Sequence, residues 1–311
     1  MLLEEAIKIH QNNKGKTDIL ELLGIEIEEN FSKEPYYTDK LNSLKNKKIF
    51  ISDLDGTFFR GTMTKEIFSI FFKFVKSKDI TTLETSKVKE FLDDNLYFNN
   101  LEKKAYNKQI KYNEYINAGT FLLFKYRDLV NWGEFLVFLR NSFIKKQKVN
   151  PFRFSLAKIK EVLINGDDFV FVSGAPNFAL DIYIDLLKIF IEEETGIDYS
   201  KNIEGFGTYF GLNNSHCIPL FSRNHKTNFI NYLKKETGNE NIIGGMGDTI
   251  ADYGISSNLS ENSIFYFVNP EVSVLKDFEK YRKNGVTYKF IIERKNLIFE
   301  MKTENIDIIE L

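Results

Sequence analysis

Ile49-Phe50-Ile51-Ser52-Asp53-Leu54-Asp55-Gly56-Thr57 is an apolar run that ends abruptly in two carboxylates one residue apart. Lys47-Lys48 bounds it on the N-terminal side. The pattern predicts a strand buried on both faces, as in a parallel sheet. Ligands of open α/β sheets bind just beyond the C-terminal ends of strands, which is where Asp53 and Asp55 fall. Alternation along an extended chain directs the two side chains the same way. Charges this close repel unless a cation, a proton or a phosphoryl-stabilising site is near. The stretch therefore points to a divalent metal, or to a nucleophile beside an acid. A calcium loop fails, because Phe58 and Thr64 stand where its glycine and glutamate belong. A plain Asp-Gly turn rarely runs from a strand into Phe58-Phe59. A metal-binding D-x-D of the sugar-nucleotide transferase type stays open at this point.

Downstream, residues 62–147 read as helical. Ile67, Ile70, Phe71, Phe74 and Val75 follow the amphipathic spacing, with Phe68 and Phe72 beside them. Residues 121–130 and 135–143 are strongly apolar, and no proline interrupts 61–150. An aromatic stripe of this kind is expected to be core. This helical segment interrupts the sheet between its first and second strands.

Pro151 then opens a helix over 152–164, stopped by Asn165-Gly166. Phe169-Val170-Phe171-Val172 reads as a second buried strand, ending in Ser173-Gly174. A helix over 177–194 follows, with Ile182, Leu186, Leu187, Ile189 and Phe190 expected inward. A third strand is expected at 206–210, and Lys226 is expected to open a helix that Gly238 ends. Ile242-Ile243-Gly244-Gly245-Met246 is the next strand, running into Gly247-Asp248-Thr249-Ile250-Ala251-Asp252; residues 264–268 are a fifth. Alternating strands and helices predict an α/β fold, a doubly wound parallel sheet with right-handed crossovers. Residues 286–301 alternate loosely and suggest a terminal hairpin. Ahead of the first strand, residues 1–46 suggest one or two polar helices with a loop at Pro35-Tyr36-Tyr37, and a linker over 33–48.

Three strand ends thus carry polar groups on one rim: Asp53 with Asp55, Ser173 with Gly174, and Asp248 with Asp252. Asp53, Asp248 and Asp252 offer oxygens to a hard cation, and Mg2+ suits so few carboxylates best. Ser173, the backbone at Gly174 and Lys226 can neutralise an anion. Other motifs fail. Gly245-Met246-Gly247 starts a dinucleotide fingerprint, but Ile250 replaces its last glycine and Asp248 would repel a pyrophosphate. The three histidines, His10, His216 and His225, form no convincing zinc site or triad.

Asp53-Leu54-Asp55-Gly56-Thr57, Ser173-Gly174, Lys226 and Gly247-Asp248-Thr249-Ile250-Ala251-Asp252 together resemble the four motifs of the haloacid dehalogenase superfamily. The helical insert between the first two motifs is similar to that of its phosphoserine-phosphatase-like branch. The resemblance covers about 47–285. It implies a Rossmann-like doubly wound core over 47–61 and 148–285, and an all-helical cap over 62–147. Residues 1–46 are then an N-terminal helical extension, and 286–311 a C-terminal tail. It further implies Mg2+-dependent hydrolysis of a small phosphorylated metabolite through an aspartyl-phosphate. Asp53 would be the nucleophile and Asp55 the acid and base, with Ser173, Gly174 and Lys226 on the phosphate. The metal would be held by Asp53, Asp55 (through its backbone carbonyl) and Asp248, with Asp252 holding a bound water or Lys226. Phosphoryl transfer to another acceptor, or non-catalytic binding of a phospholigand, are the alternatives. The acid that phosphoserine phosphatases carry nine residues after the nucleophile is replaced by Thr62, so phosphoserine itself is not the expected substrate. Arg60 and Arg127 are candidates for a substrate anion.

Composition narrows the partners. The 311 residues carry 42 basic and 44 acidic side chains, a net charge of −2, so no overall field favours nucleic acid or anionic membranes. A single cysteine, Cys217, excludes an intramolecular disulfide and fits a reducing compartment. The acidic N-terminal stretch lacks the plan of a signal peptide. A cytoplasmic protein is expected.

Overall fold

The computed structural model describes residues 1–13, 20–44, 47–61, 63–77, 85–107, 109–110, 112–145, 150–211, 216–238, 241–293 and 306–310. The chain divides into two compact units. One comprises residues 1–28, 64–146 and 210–217; the other comprises 29–63, 147–209 and 218–311.

The first unit is mainly helical. It contains α1 (Leu3–Asn12), most of α3 (Met63–Ser77), α4 (Thr85–Tyr106), α5 (Tyr112–Lys125) and α6 (Trp132–Lys145). The expected aromatic stripe is its core. Phe68, Phe71, Phe72 and Phe74 are buried on α3 and meet Phe91, Phe98, Tyr115 and Phe135 from the other helices. Most of these rings meet edge-on or tilted, the arrangement the ring quadrupole favours. Asp94 is fully buried and satisfied there. It accepts hydrogen bonds from the Leu3 N–H, the Tyr126 hydroxyl and the Lys125 ammonium, at 2.8, 2.7 and 2.6 Å. A short parallel pair, β1 (Glu26–Ile27) with β5 (His216–Ile218), completes the unit. Strands of two and three residues leave no period for a sequence to display.

The second unit is an α/β sandwich. Its sheet holds β2 (Ile49–Ser52), β3 (Asp168–Pro176), β4 (Ile203–Phe210), β6 (Ile242–Gly247), β7 (Ile264–Val268), β8 (Thr287–Glu293) and β9 (Ile306–Glu310). Their order is β4-β3-β2-β6-β7-β8-β9. Every pairing is parallel except β8 with β9. Ile49 to Ser52 is buried at every position, as the unbroken apolar run requires of a central strand. Ser52 pairs with Phe171 on one side and Met246 on the other. The three polar strand ends therefore leave the sheet at one rim. The helices α2 (Pro35–Leu44), α7 (Arg153–Ile164), α8 (Asn177–Thr195) and α9 (Arg223–Thr237) also belong to this unit.

Several expectations need correction. Pro35 opens α2 instead of forming a loop, since proline is compatible with a first turn. Residues read as a linker then pack as core: Tyr37, Leu41 and Leu44, with Phe31 just ahead of them, join Phe206, Phe229 and Ile230. On α8 the buried stripe is Leu180, Tyr183, Ile184, Leu187 and Ile191, whereas Ile189 is exposed. Leaving out Leu180, Tyr183 and Ile184 rotates the expected face away from the buried one. Helix α9 begins a turn before Lys226, because Ser222 caps it by accepting the His225 N–H at 3.2 Å. Strand β8 lies parallel to β7 in the main sheet, and its antiparallel partner is β9. The second half of the expected hairpin, with Leu297, Phe299 and Met301, lies outside the described residues. No helix among the described residues is long and apolar enough to cross a membrane.

Candidate active site

Asp53 follows the last residue of β2, and its N–H donates to the Met246 carbonyl at 3.0 Å. The backbone continues the sheet for one more residue and places the carboxyl on the rim. Both Asp53 and Lys226 are buried. Lys226 Nζ lies 2.8 Å from Asp53 Oδ1 and 2.6 Å from Asp252 Oδ1. Starting α9 at Ser222 puts Lys226 in its second turn, on the buried face with Phe229 and Ile230.

Asp252 is fully buried and uses both oxygens. Oδ2 accepts the N–H groups of Asp248 and Thr249, at 3.0 and 2.9 Å, and the Thr249 hydroxyl at 2.9 Å. Asp252 thus folds the segment after β6 back onto its own start. Gly247 makes this possible: a Cβ there would lie 2.2 Å from the Asp252 Cβ. The glycine that looked like part of a nucleotide fingerprint is a close-packing residue.

Asp248 receives the Thr57 hydroxyl on Oδ1 at 2.8 Å. Gly56 sits beside it with φ +78°, and a Cβ at Gly56 would fall 2.1 Å from Asp248 Oδ2. Asp53, Asp248 and Asp252 each offer an oxygen within 4.8 Å of the others.

Charge in this cluster is strained. Burial pushes the Asp53 carboxyl up to about 7, helped by the negative charge of Asp252 and Asp55 and opposed by Lys226. Burial also raises Asp248 far above the ordinary carboxylate range, with Asp252 and Asp53 adding to it and the Thr57 hydrogen bond opposing. Burial acts to lower Lys226, but Asp252 and Asp53 outweigh it and hold the ammonium above its ordinary value. One ammonium faces three converging carboxyls. A buried, all-oxygen donor set short of positive charge fits a hard divalent cation.

Asp55 lies on the loop after β2. Its Oδ1 accepts the Met63 N–H at 2.7 Å. Phe59 forms isolated β-bridges with Asp55 and with Pro151, and the Gly56 N–H is shared by the carbonyls of Phe59 and Gly61. Ser173 is buried within β3, which runs on past the expected end at Val172, and stands just after the last regular pair, Val172 with Phe206; its Oγ accepts the Ala175 N–H at 3.1 Å. The structure therefore joins Asp53, Lys226, Asp248 and Asp252 by direct contact or close approach. Asp55 and Ser173 lie at the same rim with local hydrogen bonds of their own, and Gly174 follows Ser173 there, packed against Phe221.

Arg60 does not present a free cation to a ligand, contrary to expectation. It forms an ion pair with the buried carboxylate of Glu293. Sequence reading quotes Thr57 in the first motif but gives it no role, and it passes over Tyr183. Tyr183 is fully buried, edge-on to Phe59 at 5.6 Å, and its hydroxyl has no hydrogen-bond partner among the described residues. Burial and then the charge of Asp55 push its phenol up. A tyrosine on a buried helical stripe reads as packing, so no signal marked it.

No protein-family model matches the chain, and no curated protein matches its sequence. Solved structures do resemble it. A protein of unknown function from Bordetella pertussis Tohama I superposes with a TM-score of 0.50 at 10% identity, over 77% of this chain and 98% of that one. That likeness shows a shared fold. A HAD-family hydrolase from Salmonella enterica serovar Typhi gives a TM-score of 0.39 at 11% identity, covering 79% of this chain and 70% of its own. A substrate-bound phosphoserine phosphatase gives 0.39 at 14%, covering 77% and 100%.

Proposed function

We propose that this chain is a phosphatase of the haloacid dehalogenase type, hydrolysing a small-molecule phosphate monoester through an aspartyl-phosphate on Asp53. The observation that carries the reading is the buried cluster itself. Asp53 stands at the end of the central strand with Lys226 on one oxygen, inside a triangle of carboxyls and two residues from Asp55.

In the first step, a carboxylate oxygen of Asp53 bonds to phosphorus as the ester P–O bond breaks. Asp55 gives its proton to the departing alcohol oxygen. In the second step, Asp55 takes a proton from water, and the resulting hydroxide attacks phosphorus. The Asp53–phosphorus bond breaks, releasing phosphate and restoring Asp53. Lys226 stays protonated throughout, since Asp53 and Asp252 hold it above its ordinary value. It orients the Asp53 carboxylate and offsets charge on the phosphoryl oxygens. Ser173 and the Gly174 N–H are assigned to those oxygens as well. Asp252 acts through Lys226 and through the fold of the Asp248 segment.

Mg2+ is assigned to the side chains of Asp53 and Asp248 and the backbone carbonyl of Asp55, where it would supply charge neutralisation for the transferring group. Substrate selection is assigned to the helical segment 62–147.

A panel of phosphorylated metabolites and an aryl phosphate, assayed with and without Mg2+, tests the proposal. Turnover that requires Mg2+ and is abolished in Asp53→Asn supports it. No turnover on any member, or full turnover in excess chelator, ends it.

A further inference from the structure

Glu293 ends β8, two residues past Ile291, which pairs with Val268 of β7. Its side chain is completely buried. A carboxylate in that position costs several kcal/mol unless it is well paired. Glu293 is paired on every side. Oε1 takes the Arg60 guanidinium and, at 3.1 Å, the Arg153 N–H. Oε2 takes the Phe154 N–H at 3.1 Å. Its own N–H is held by Asn269 Oδ1 at 2.8 Å. Arg153 and Phe154 are the first residues of α7, whose N-cap residue, Phe152, supplies no side-chain acceptor. Glu293 provides that cap from across the sheet, where a negative charge also meets the helix dipole favourably.

Arg60 is fixed just as firmly. Its Nε donates to the Pro151 carbonyl at 3.2 Å, its backbone N–H to the Asn150 carbonyl at 2.9 Å, and its guanidinium lies 4.9 Å from the centre of the Phe152 ring. Arg60 belongs to the loop that carries Asp55. Its neighbours Phe59 and Gly61 receive the Gly56 N–H, and Met63, three residues on, donates to the Asp55 carboxylate. The far end of the Asp55 loop is thus pinned to the rim by Glu293. Buried ion pairs add little net stability over apolar packing, and their best-attested use is to fix one arrangement among several.

We propose that Glu293 is a positioning residue for Asp55, acting through Arg60, its loop neighbours Phe59 and Gly61, and Met63. The proposal rests on the phosphatase reading above. It gives the segment after residue 285 a part in the chemistry. Glu293→Gln removes the charge and keeps the shape and an acceptor oxygen. Loosening the loop shifts the donor that aims Asp55, and misplacement of a catalytic group by an ångström costs on the order of a hundredfold in rate.

The test compares an alkyl phosphate, whose leaving group needs a proton, with nitrophenyl phosphate, whose leaving group needs it far less. In Glu293→Gln, kcat for the alkyl ester should fall on the order of tenfold or more. The aryl ester should fall less, with KM and the Mg2+ requirement of both unchanged. In an Asp55→Asn background the same substitution should have almost no further effect, because coupled residues are not additive. If Glu293→Gln does not fold, Arg60→Gln leaves Glu293 with its two α7 donors and reads the same ratio. A variant that melts earlier but keeps the parent's alkyl-to-aryl ratio overturns the proposal. So does a full additional loss in the Asp55→Asn background. In either case parent turnover stands, so the phosphatase reading survives. A parent without turnover on either ester sinks both together.

Discussion

The Thr57 hydroxyl donates to Asp248 Oδ1 over 2.8 Å, joining two loops that lie 191 residues apart in sequence. It aims a carboxylate that burial would otherwise drive toward its neutral form. Thr57→Val should weaken Mg2+ binding about tenfold to a hundredfold, since a hydrogen bond to a charged group contributes roughly 1.5–3 kcal/mol. The half-saturating Mg2+ concentration for turnover measures this; an unchanged value shows that Asp248 is held by other means.

Gly56 should be intolerant of any side chain. Alanine there meets a left-handed φ, which costs about 1–2 kcal/mol, and its Cβ would occupy the place of Asp248 Oδ2. Gly56→Ala should lose Mg2+-dependent turnover while remaining folded. Calorimetric titration with Mg2+ reports the site directly, and binding equal to the parent's would contradict the geometry.

Asp53→Asn and Asp55→Asn should fail differently. The first removes the nucleophile, so no covalent phosphoenzyme forms and alkyl and aryl esters suffer alike. The second removes the proton donor and base. It should slow alkyl ester cleavage on the order of a hundredfold or more, spare aryl ester cleavage in part, and leave binding of a metal fluoride phosphate analogue largely intact. Rapid-quench measurement of the phosphoenzyme separates the two. Equal losses on both esters in Asp55→Asn would remove its acid–base role.

Metal binding should depend on pH through Asp53. Its carboxyl stands at about 7 in the folded chain against an ordinary 3.8. The folded state therefore keeps a proton that the unfolded chain releases, and stability falls as pH rises from about 4 through about 7. Mg2+ displaces that proton and relieves the penalty. The rise in Tm on adding Mg2+ should be larger near pH 8 than near pH 5.5, and Asp53→Asn should flatten the difference. A Mg2+ effect of the same size at both pH values would exclude Asp53 as the group responsible.

Lys226 should matter to folding as well as to turnover. Removing it leaves Asp53 and Asp252 buried without their cation, and breaking a buried pair in this way costs about 3–5 kcal/mol. Lys226→Met should lower the urea midpoint strongly, and a second change, Asp252→Asn, should restore part of it. A Lys226→Met variant as stable as the parent would mean that the carboxyls find another partner.

Most of the sheet could be read from the chain because its strands are buried on both faces. Ile49-Phe50-Ile51, Phe169–Val172 and Ile264–Val268 are unbroken apolar runs, and each ends where a polar residue begins. The acidic members of the cluster were legible for the same reason, as charges at or just beyond the ends of such runs, whereas Lys226 was legible only as the head of an expected helix. Other features left no local trace. Tyr183 looks like packing because it is packing on one side, against Phe59. The true start of α9 depends on Ser222, one polar residue among several. Glu293 was hidden because β8 alternates loosely, as a surface hairpin does, although its strand pairs in parallel with β7. Its partner Arg60 lies 233 residues away, and no spacing rule reaches that far.

That separation has a consequence for how the protein is made. At roughly 5–20 residues per second, a ribosome that has just added Arg60 needs about 12 to 47 s more to reach Glu293. Asp53 and Asp55 are already made when that interval begins; Ser173, Lys226, Asp248 and Asp252 join them during it, while the Asp55 loop still lacks its anchor. A nascent chain could thus carry the whole reactive cluster before the loop that aims Asp55 is pinned. Premature termination between residues 252 and 293 would yield a product of the same kind.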